Sequence, residues 1–309
     1  MRLVRPLLLI LTASAGLASL IAWTTSTGGS DSATQEAEAL LSALFDSADQ
    51  SRSTANFSDH QEGLQRSTAV PAVPPAVATA DPQLRIALLS QRPLLQVSTQ
   101  GGAACRSQAG APVQLGVLNG MITGTTTGLV SCGGSGGSVF VNGRAYEGTI
   151  HLLNRGQGWL AINQINLERY VASVVGAEMP SYWNGEALKA QAVAARSYGL
   201  VHMLRPADRD WNLGDTTRWQ AYSGTISSTD STIKAAAATR GLVLSFKGGL
   251  VESLYAATQE ISDEAHGHLG ASMSQHGAQQ LAQRGLRFNE ILGRYYAGAS
   301  LARIKTDGQ

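Results

Sequence analysis

The stretch NLERYVASVVGAEMPSYWNGEALKAQAVAARSYGLVHML, residues 166–204, decides how the chain folds, because the apolar period changes at its first residue. Before it, apolar residues come in short runs broken by glycine; within it, they recur at helical intervals. Leu167, Tyr170, Val171, Val174 and Val175 form one stripe, with Asn166 placed as N-cap and Glu168 in the first turn. A helix is expected there, ending at Gly176. A second is expected from 185 to 204, capped by Asn184 and stopped by Pro206. Ala187, Ala190, Ala192, Ala194 and Ala195 leave it little bulk on several sides, which predicts burial among close neighbours.

Upstream, the runs at 84–89, 94–97, 113–118, 138–141, 149–153 and 158–162 read as strands, with Asn142-Gly143 as a hairpin turn. Downstream, 215–224 reads as loop or strand and 231–239 as a helix. Runs 242–246 and 250–256 bracket a hairpin at Lys247-Gly248-Gly249, and helices are expected near 278–284 and 288–296. Strands first and helices afterwards predict an α+β fold, a β-rich N-terminal half packed against a helical half. The folded part is expected over 84–304. Val70-Pro71-Ala72-Val73-Pro74-Pro75-Ala76 closes a low-complexity tract at 31–83 and reads as an extended linker. Within that tract, 36–45 has the pattern of one amphipathic helix.

Composition excludes several roles. Of 309 residues, 43% are apolar and 15% charged, so a core can be buried. With 23 basic against 22 acidic residues there is no field to drive counterion-releasing nucleic-acid binding. No nucleic-acid partner is expected. Arg2 and Arg5 precede an uncharged stretch to Trp23, an export signal over 1–30. A cleaved signal peptide and an uncleaved anchor both fit, and either confines membrane contact to this segment. The expected location is the periplasm or the outer face of the cytoplasmic membrane. In such an oxidising compartment Cys105 and Cys132, each in Gly/Ser-rich sequence, point to a disulfide stapling a loop-rich region. A metal site and two unrelated thiols are the alternatives, the former without a ligand at the right spacing.

The candidate chemistry lies between the two helices. Pro180 pushes Met179 to an extended conformation, so Glu178 is presented from a stiff corner among Met179, Pro180, Tyr182 and Trp183. Apolar surroundings disfavour the charged carboxylate and suit it to donate a proton. The amino end of the following helix would oppose this if the carboxyl pointed there; a merely solvated turn Glu is the bland alternative. Lys189 and Arg196 share a helix face, and Arg196, deep in the alanine-rich part, is expected to meet a carboxylate of the protein or of a ligand. Tyr198 reads equally as core or as a sugar-stacking ring. His266, His268 and His276, with Asp263 and Glu264, match no zinc motif, and a polar binding loop is the better reading.

From about 146 to 300 the chain resembles the SpoIID/LytB family. The matching text is NQINLERY (163–170), VVGAEMPSYW (174–183), EALKAQAVAARSY (186–198), DTTRWQAYSG (215–224), ATRGLVL (238–244), HLGASMSQHGA (268–278) and YYAG (295–298). The resemblance implies peptidoglycan glycan strands as partner and a lytic transglycosylase that needs no cofactor. Glu178 would protonate the β-1,4 glycosidic oxygen after N-acetylmuramic acid, then take a proton from that sugar's 6-hydroxyl as a 1,6-anhydro ring closes. One acid/base suffices, unlike the paired carboxylates of ordinary glycosidases. Lys189, Gln191, Arg196 and Tyr198 fall at motif positions assigned to cleft structure and sugar or carboxylate contacts. His268, Ser274 and Gln275 are expected to line the opposite wall.

The chain departs from that family in three places. Where some relatives continue Asp-Thr-Thr with His and Cys of a zinc site, Arg218 and Trp219 stand here, so no such metal is expected. Only 256–265 lies where many relatives carry a longer Ser/Gly-rich insertion, and the final motif is one residue longer than usual. A shortened cleft wall favours the alternative of a non-catalytic wall-binding module that recruits or stimulates an amidase. A generic inverting hydrolase would need a second acid from Asp215, Glu186 or Glu260.

Overall fold

The computed structural model describes residues 70–266 and 271–305; the leader at 1–30, the tract at 31–69 and His268 lie outside the described residues. The fold is α+β and changes character at residue 166, as the period does.

The first half holds β1 (Gln83–Ala87), β2 (Val97–Gln100), β3 (Ala104–Ser107), β4 (Pro112–Val113), β5 (Gly128–Gly133), β6 (Ser138–Val141), β7 (Arg144–Tyr146), β8 (Thr149–Asn154) and β9 (Leu160–Asn166). With β10 (Leu213–Gly214), a seven-stranded sheet runs β10-β1-β9-β8-β5-β3-β4, and β2-β6-β7 form a second. Side chains along β8 alternate, with Ile150, Leu152 and Asn154 inward. The hairpin of β6 and β7 turns on Asn142 and Gly143 at φ 47° and 81°, the left-handed pair this turn requires.

Two expectations fail in this half. Of residues 113–118 only Val113 is in a strand, at the end of β4: α1 (Leu115–Ile122) begins two residues later, with Leu118 and Ile122 as its buried side. The apolar run was too short to tell a strand from one face of a helix. Cys105 and Cys132 are joined as the expected disulfide, but they sit directly opposite each other on β3 and β5 rather than in a loop-rich region. The apolar residues beside them, such as Leu129 and Val130, form runs too short to read as strands. The bond closes a loop of 27 positions, so Cys105→Ser with Cys132→Ser is expected to lower unfolding free energy by roughly 2–4 kcal/mol. Denaturant midpoints with and without reductant check this; coincident curves would refute it.

The second half packs α2 (Leu167–Glu178), α3 (Gly185–Leu204), α4 (Asp230–Ala238), α5 (Gln259–His266), α6 (Gln275–Gln283) and α7 (Phe288–Tyr295). Between them lie β11 (Leu242–Phe246) paired with β12 (Gly249–Leu250) and β15 (Ser300–Arg303), and the parallel pair β13 (Leu254–Ala256) and β14 (Ser272–Ser274). The alanines of α3 are fully buried, and α2, α4, α6, α7 and β11 all touch this helix. Gly199 on α3 lies against Leu84 of β1 and Tyr170 of α2, so one core joins both halves.

Two helix ends differ from expectation. Asn166 does not cap α2 with its side chain; Asp81 does, accepting from Glu168 N at 3.0 Å. Gly176 does not end α2 either. A Cβ there would stand 1.8 Å from the carbonyl oxygen of Ser227, so this glycine admits a crossing chain and the helix runs on to Glu178. Asn184 caps α3 as expected, accepting from Glu186 N at 2.9 Å. Residues 70–82 have no regular structure and lie along the helical half: Pro71 O accepts from Asn289 Nδ2 at 3.0 Å and Pro74 O from Arg303 Nη2 at 3.3 Å.

Candidate active site

Glu178 is the last residue of α2, and Met179 after it is extended at φ −129°, ψ 143°. Among the described residues the amino end of α3 contributes no hydrogen bond to the Glu178 carboxyl. The side chain is half-buried. Oε1 accepts from the backbone N–H of Ala221 at 2.6 Å, and Oε2 from Gln275 Nε2 at 3.3 Å. Burial pushes the carboxyl above its ordinary range, opposed first by the Ala221 bond and then by the Gln275 bond. The result is a carboxyl whose hold on its proton is strengthened by burial and which is pinned at both oxygens.

The 215–224 segment is tied down on every side. Gln220 is fully buried: its Oε1 accepts from Tyr170 OH at 2.7 Å, and its Nε2 donates to Tyr255 OH at 2.9 Å and to Ala195 O at 3.3 Å. Tyr222 OH donates to Asn163 at 2.6 Å, and Ser173 Oγ to Gly224 O at 2.7 Å. Gln220 thereby links α2, α3 and β13 one residue before the amide that holds Glu178. Tyr255 and Tyr198 are raised by burial first, and both also feel the Glu178 carboxyl. Neither Gln220 nor Ala221 was singled out from sequence. A backbone donor leaves no residue-type signature, and Gln220 was visible only as part of the quoted DTTRWQAYSG.

The other expected site residues fall in different places. Gln275 reaches Glu178, while Ser274 beside it is buried as the N-cap of α6, accepting from Gly277 N at 3.0 Å. Lys189 is partly exposed and pairs with Glu186 at 2.6 Å. Gln191 is fully buried, with no hydrogen-bond partner for its amide among the described residues. Tyr198 is buried with its ring 4.4 Å from that of His202; of its two readings the structure gives core. Arg196 is 0% exposed, and the carboxylate it meets is the protein's own. Its Nε and Nη2 hold Glu168 at 2.9 and 2.7 Å, while the remaining donors reach Ala192 O, Leu242 O and Ala236 O. All its N–H groups are engaged, which leaves no face for a ligand.

The acids weighed as second carboxylates are held elsewhere. Asp215 accepts from the backbone N of Ser90 at 2.9 Å and from its hydroxyl. Glu186 accepts from Lys189 and from Phe288 N at 2.8 Å, and Glu260 is exposed on α5. Arg218 lies over the Trp219 ring; a guanidinium and an indole offer no donor to a cation. Among the described residues no three His, Cys, Asp or Glu side chains group as metal ligands.

A carboxyl at a helix end, its pKa raised by burial and its oxygens held by a main-chain amide and a carboxamide from separate segments, is suited to general acid/base chemistry. The family is equally specific: residues 155–246 match the model of the SpoIID family, Stage II sporulation protein, so the chain carries a SpoIID domain. An uncharacterized protein of Brachyspira hyodysenteriae is 34% identical over 118 residues, which cover 38% of this chain and 32% of the relative. The amidase enhancer of Bacillus subtilis is 36% identical over 99 residues, 32% of this chain and 13% of the relative. Stage II sporulation protein D of the same organism is 31% identical over 113 residues, 32% of this chain and 33% of the relative. The chain thus spans a third or less of the length of these relatives.

Proposed function

We propose that the domain is a peptidoglycan lytic transglycosylase working outside the cytoplasm, with Glu178 as its single acid and then base. Glu178 gives its proton to the bridging oxygen of the β-1,4 bond after N-acetylmuramic acid as the C1–O bond breaks. The muramic 6-hydroxyl then bonds to C1 and returns its proton to Glu178, so the 1,6-anhydro ring forms without water. The observation that carries this reading is the pinned Glu178 carboxyl, raised by burial, with Asp215, Glu186 and Glu260 engaged or placed elsewhere. Export rests on the leader at 1–30.

Incubating the protein with purified glycan strands and weighing the products tests it: anhydro ends are one water lighter than hydrolysis products. Full-mass reducing ends would replace the reading with a hydrolase. The printed name of the amidase enhancer supports a second reading, a wall-binding module that stimulates an amidase. It predicts unchanged strands, pull-down by cell walls and a faster amidase.

Gln220→Leu separates orientation from mere folding. It cuts the bonds that hold the Ala221 amide, so the carboxylate loses its best donor and the Glu178 pKa rises further. Since the first step needs the protonated acid, the alkaline limb of kcat/KM against pH is expected to move to higher pH. A variant that only folds less well loses amplitude with the limb in place.

A further inference from the structure

Resting on that reading and extending it, we infer that Tyr182 is a stacking platform for a pyranose ring of the bound glycan, on the wall of the cleft beside Glu178. Among the described large apolar side chains Tyr182 is the most exposed, at 86%. The loop that carries it is nonetheless rigid. Trp183 N donates to Pro180 O at 3.0 Å, and Ser231 Oγ to Ser181 O at 2.6 Å. Asn184 N donates to Gln279 Oε1 at 2.9 Å, and its Nδ2 to Ala282 O at 3.3 Å. The Trp183 ring rests edgewise on His276, centroids 4.9 Å apart. An aromatic ring left in water on a loop fixed from both sides loses little entropy when a ligand covers it.

Position supplies the occupant. Tyr182 follows Glu178 by four residues, a span of at most about 14 Å and within reach of a short oligosaccharide. The same α6 start that sends Gln275 to the Glu178 carboxyl sends His276 against Trp183. The acid and the loop that carries Tyr182 are therefore both fixed to the start of α6. A β-linked hexosamine has equatorial substituents and a flat C–H face, which an aromatic face covers while the tyrosine hydroxyl stays in water. Trp183, half-buried under this loop, holds the platform in place.

Binding measured in a Glu178→Gln background, where strands are not consumed, tests the proposal independently of turnover. Titrating the full chain with a defined oligosaccharide of alternating N-acetylglucosamine and N-acetylmuramic acid, Tyr182→Ala is expected to weaken binding about tenfold. Tyr182→Phe and Tyr182→Trp should bind like the parent, since they keep the face. In otherwise wild-type protein, Tyr182→Ala should raise KM with kcat nearly kept. Unchanged affinity of Tyr182→Ala overturns the platform, and so does Tyr182→Phe binding as weakly as the alanine, which would make the hydroxyl the contact. If strands stay intact with wild-type protein yet Tyr182→Ala binds them more weakly, the transglycosylase reading fails and the platform stands.

Discussion

Glu178→Gln is expected to lower release of anhydro-muropeptides by about 10²–10⁴-fold, the usual worth of a positioned general acid. The change is nearly isosteric. Its carbonyl still accepts from Ala221 N, and the Gln275 carboxamide can turn to meet the new NH₂. Geometry survives while the transferable proton is lost. Stability gives an independent sign. Burial raises the folded-state pKa of Glu178 above its unfolded value, so the folded protein binds the proton more tightly. The stabilisation is complete below the unfolded carboxylate pKa and is lost as pH rises through the folded one. Glutamine cannot ionise, so the variant should escape that loss and gain stability relative to wild type as pH rises to neutrality. Product mass spectrometry and denaturant titrations at two pH values measure both. Undiminished release by the glutamine variant would remove Glu178 from the chemistry.

The second large effect lies in the core. Arg196→Met is expected to destabilise by about 3–5 kcal/mol, because it strands the Glu168 carboxylate away from water. Glu168 also accepts from Gly241 N at 3.0 Å, so the pair ties α2 and α3 to the approach of β11 and, through Ala236 O, to α4. Glu168→Leu combined with Arg196→Met should recover much of the loss, since apolar groups of similar volume need no partner. Urea unfolding of the singles and the double closes the cycle. A single variant as stable as wild type would show the pair contributes nothing. Recovered folding with recovered glycan cleavage would confirm that Arg196 serves the scaffold rather than the sugar.

Much of this was legible in order of residues alone. The change of period at Asn166, the Asn184 cap and the alanine-dense helix placed α2 and α3 closely, since each signal is local. What was hidden depends on partners remote in sequence. Gly176 looks like a helix stop until Ser227 is seen crossing it. Asn166 looks like a cap until Asp81 arrives to take the role. Arg196 announced a buried charge needing a carboxylate, yet nothing in its neighbourhood named Glu168, 28 residues upstream. The strands of Cys105 and Cys132, ACRS and GLVSCG, carry too short an apolar pattern to announce themselves, and their pairing is decided by the sheet around them. Glu178 became a candidate through its apolar corner and, above all, through the motif text it shares with the family it resembles, while the amide that steadies it leaves no such trace.

The partners of Glu178 come from 43 and 97 residues further along the chain. A polypeptide interrupted before Gln275 would carry the carboxyl without its setting. Competence is thus a late arrival, reached only when three distant segments have closed around one side chain. Catalytic rate should accordingly serve as a gauge of structural completeness, fading under mild denaturant before the buried alanine helix gives way.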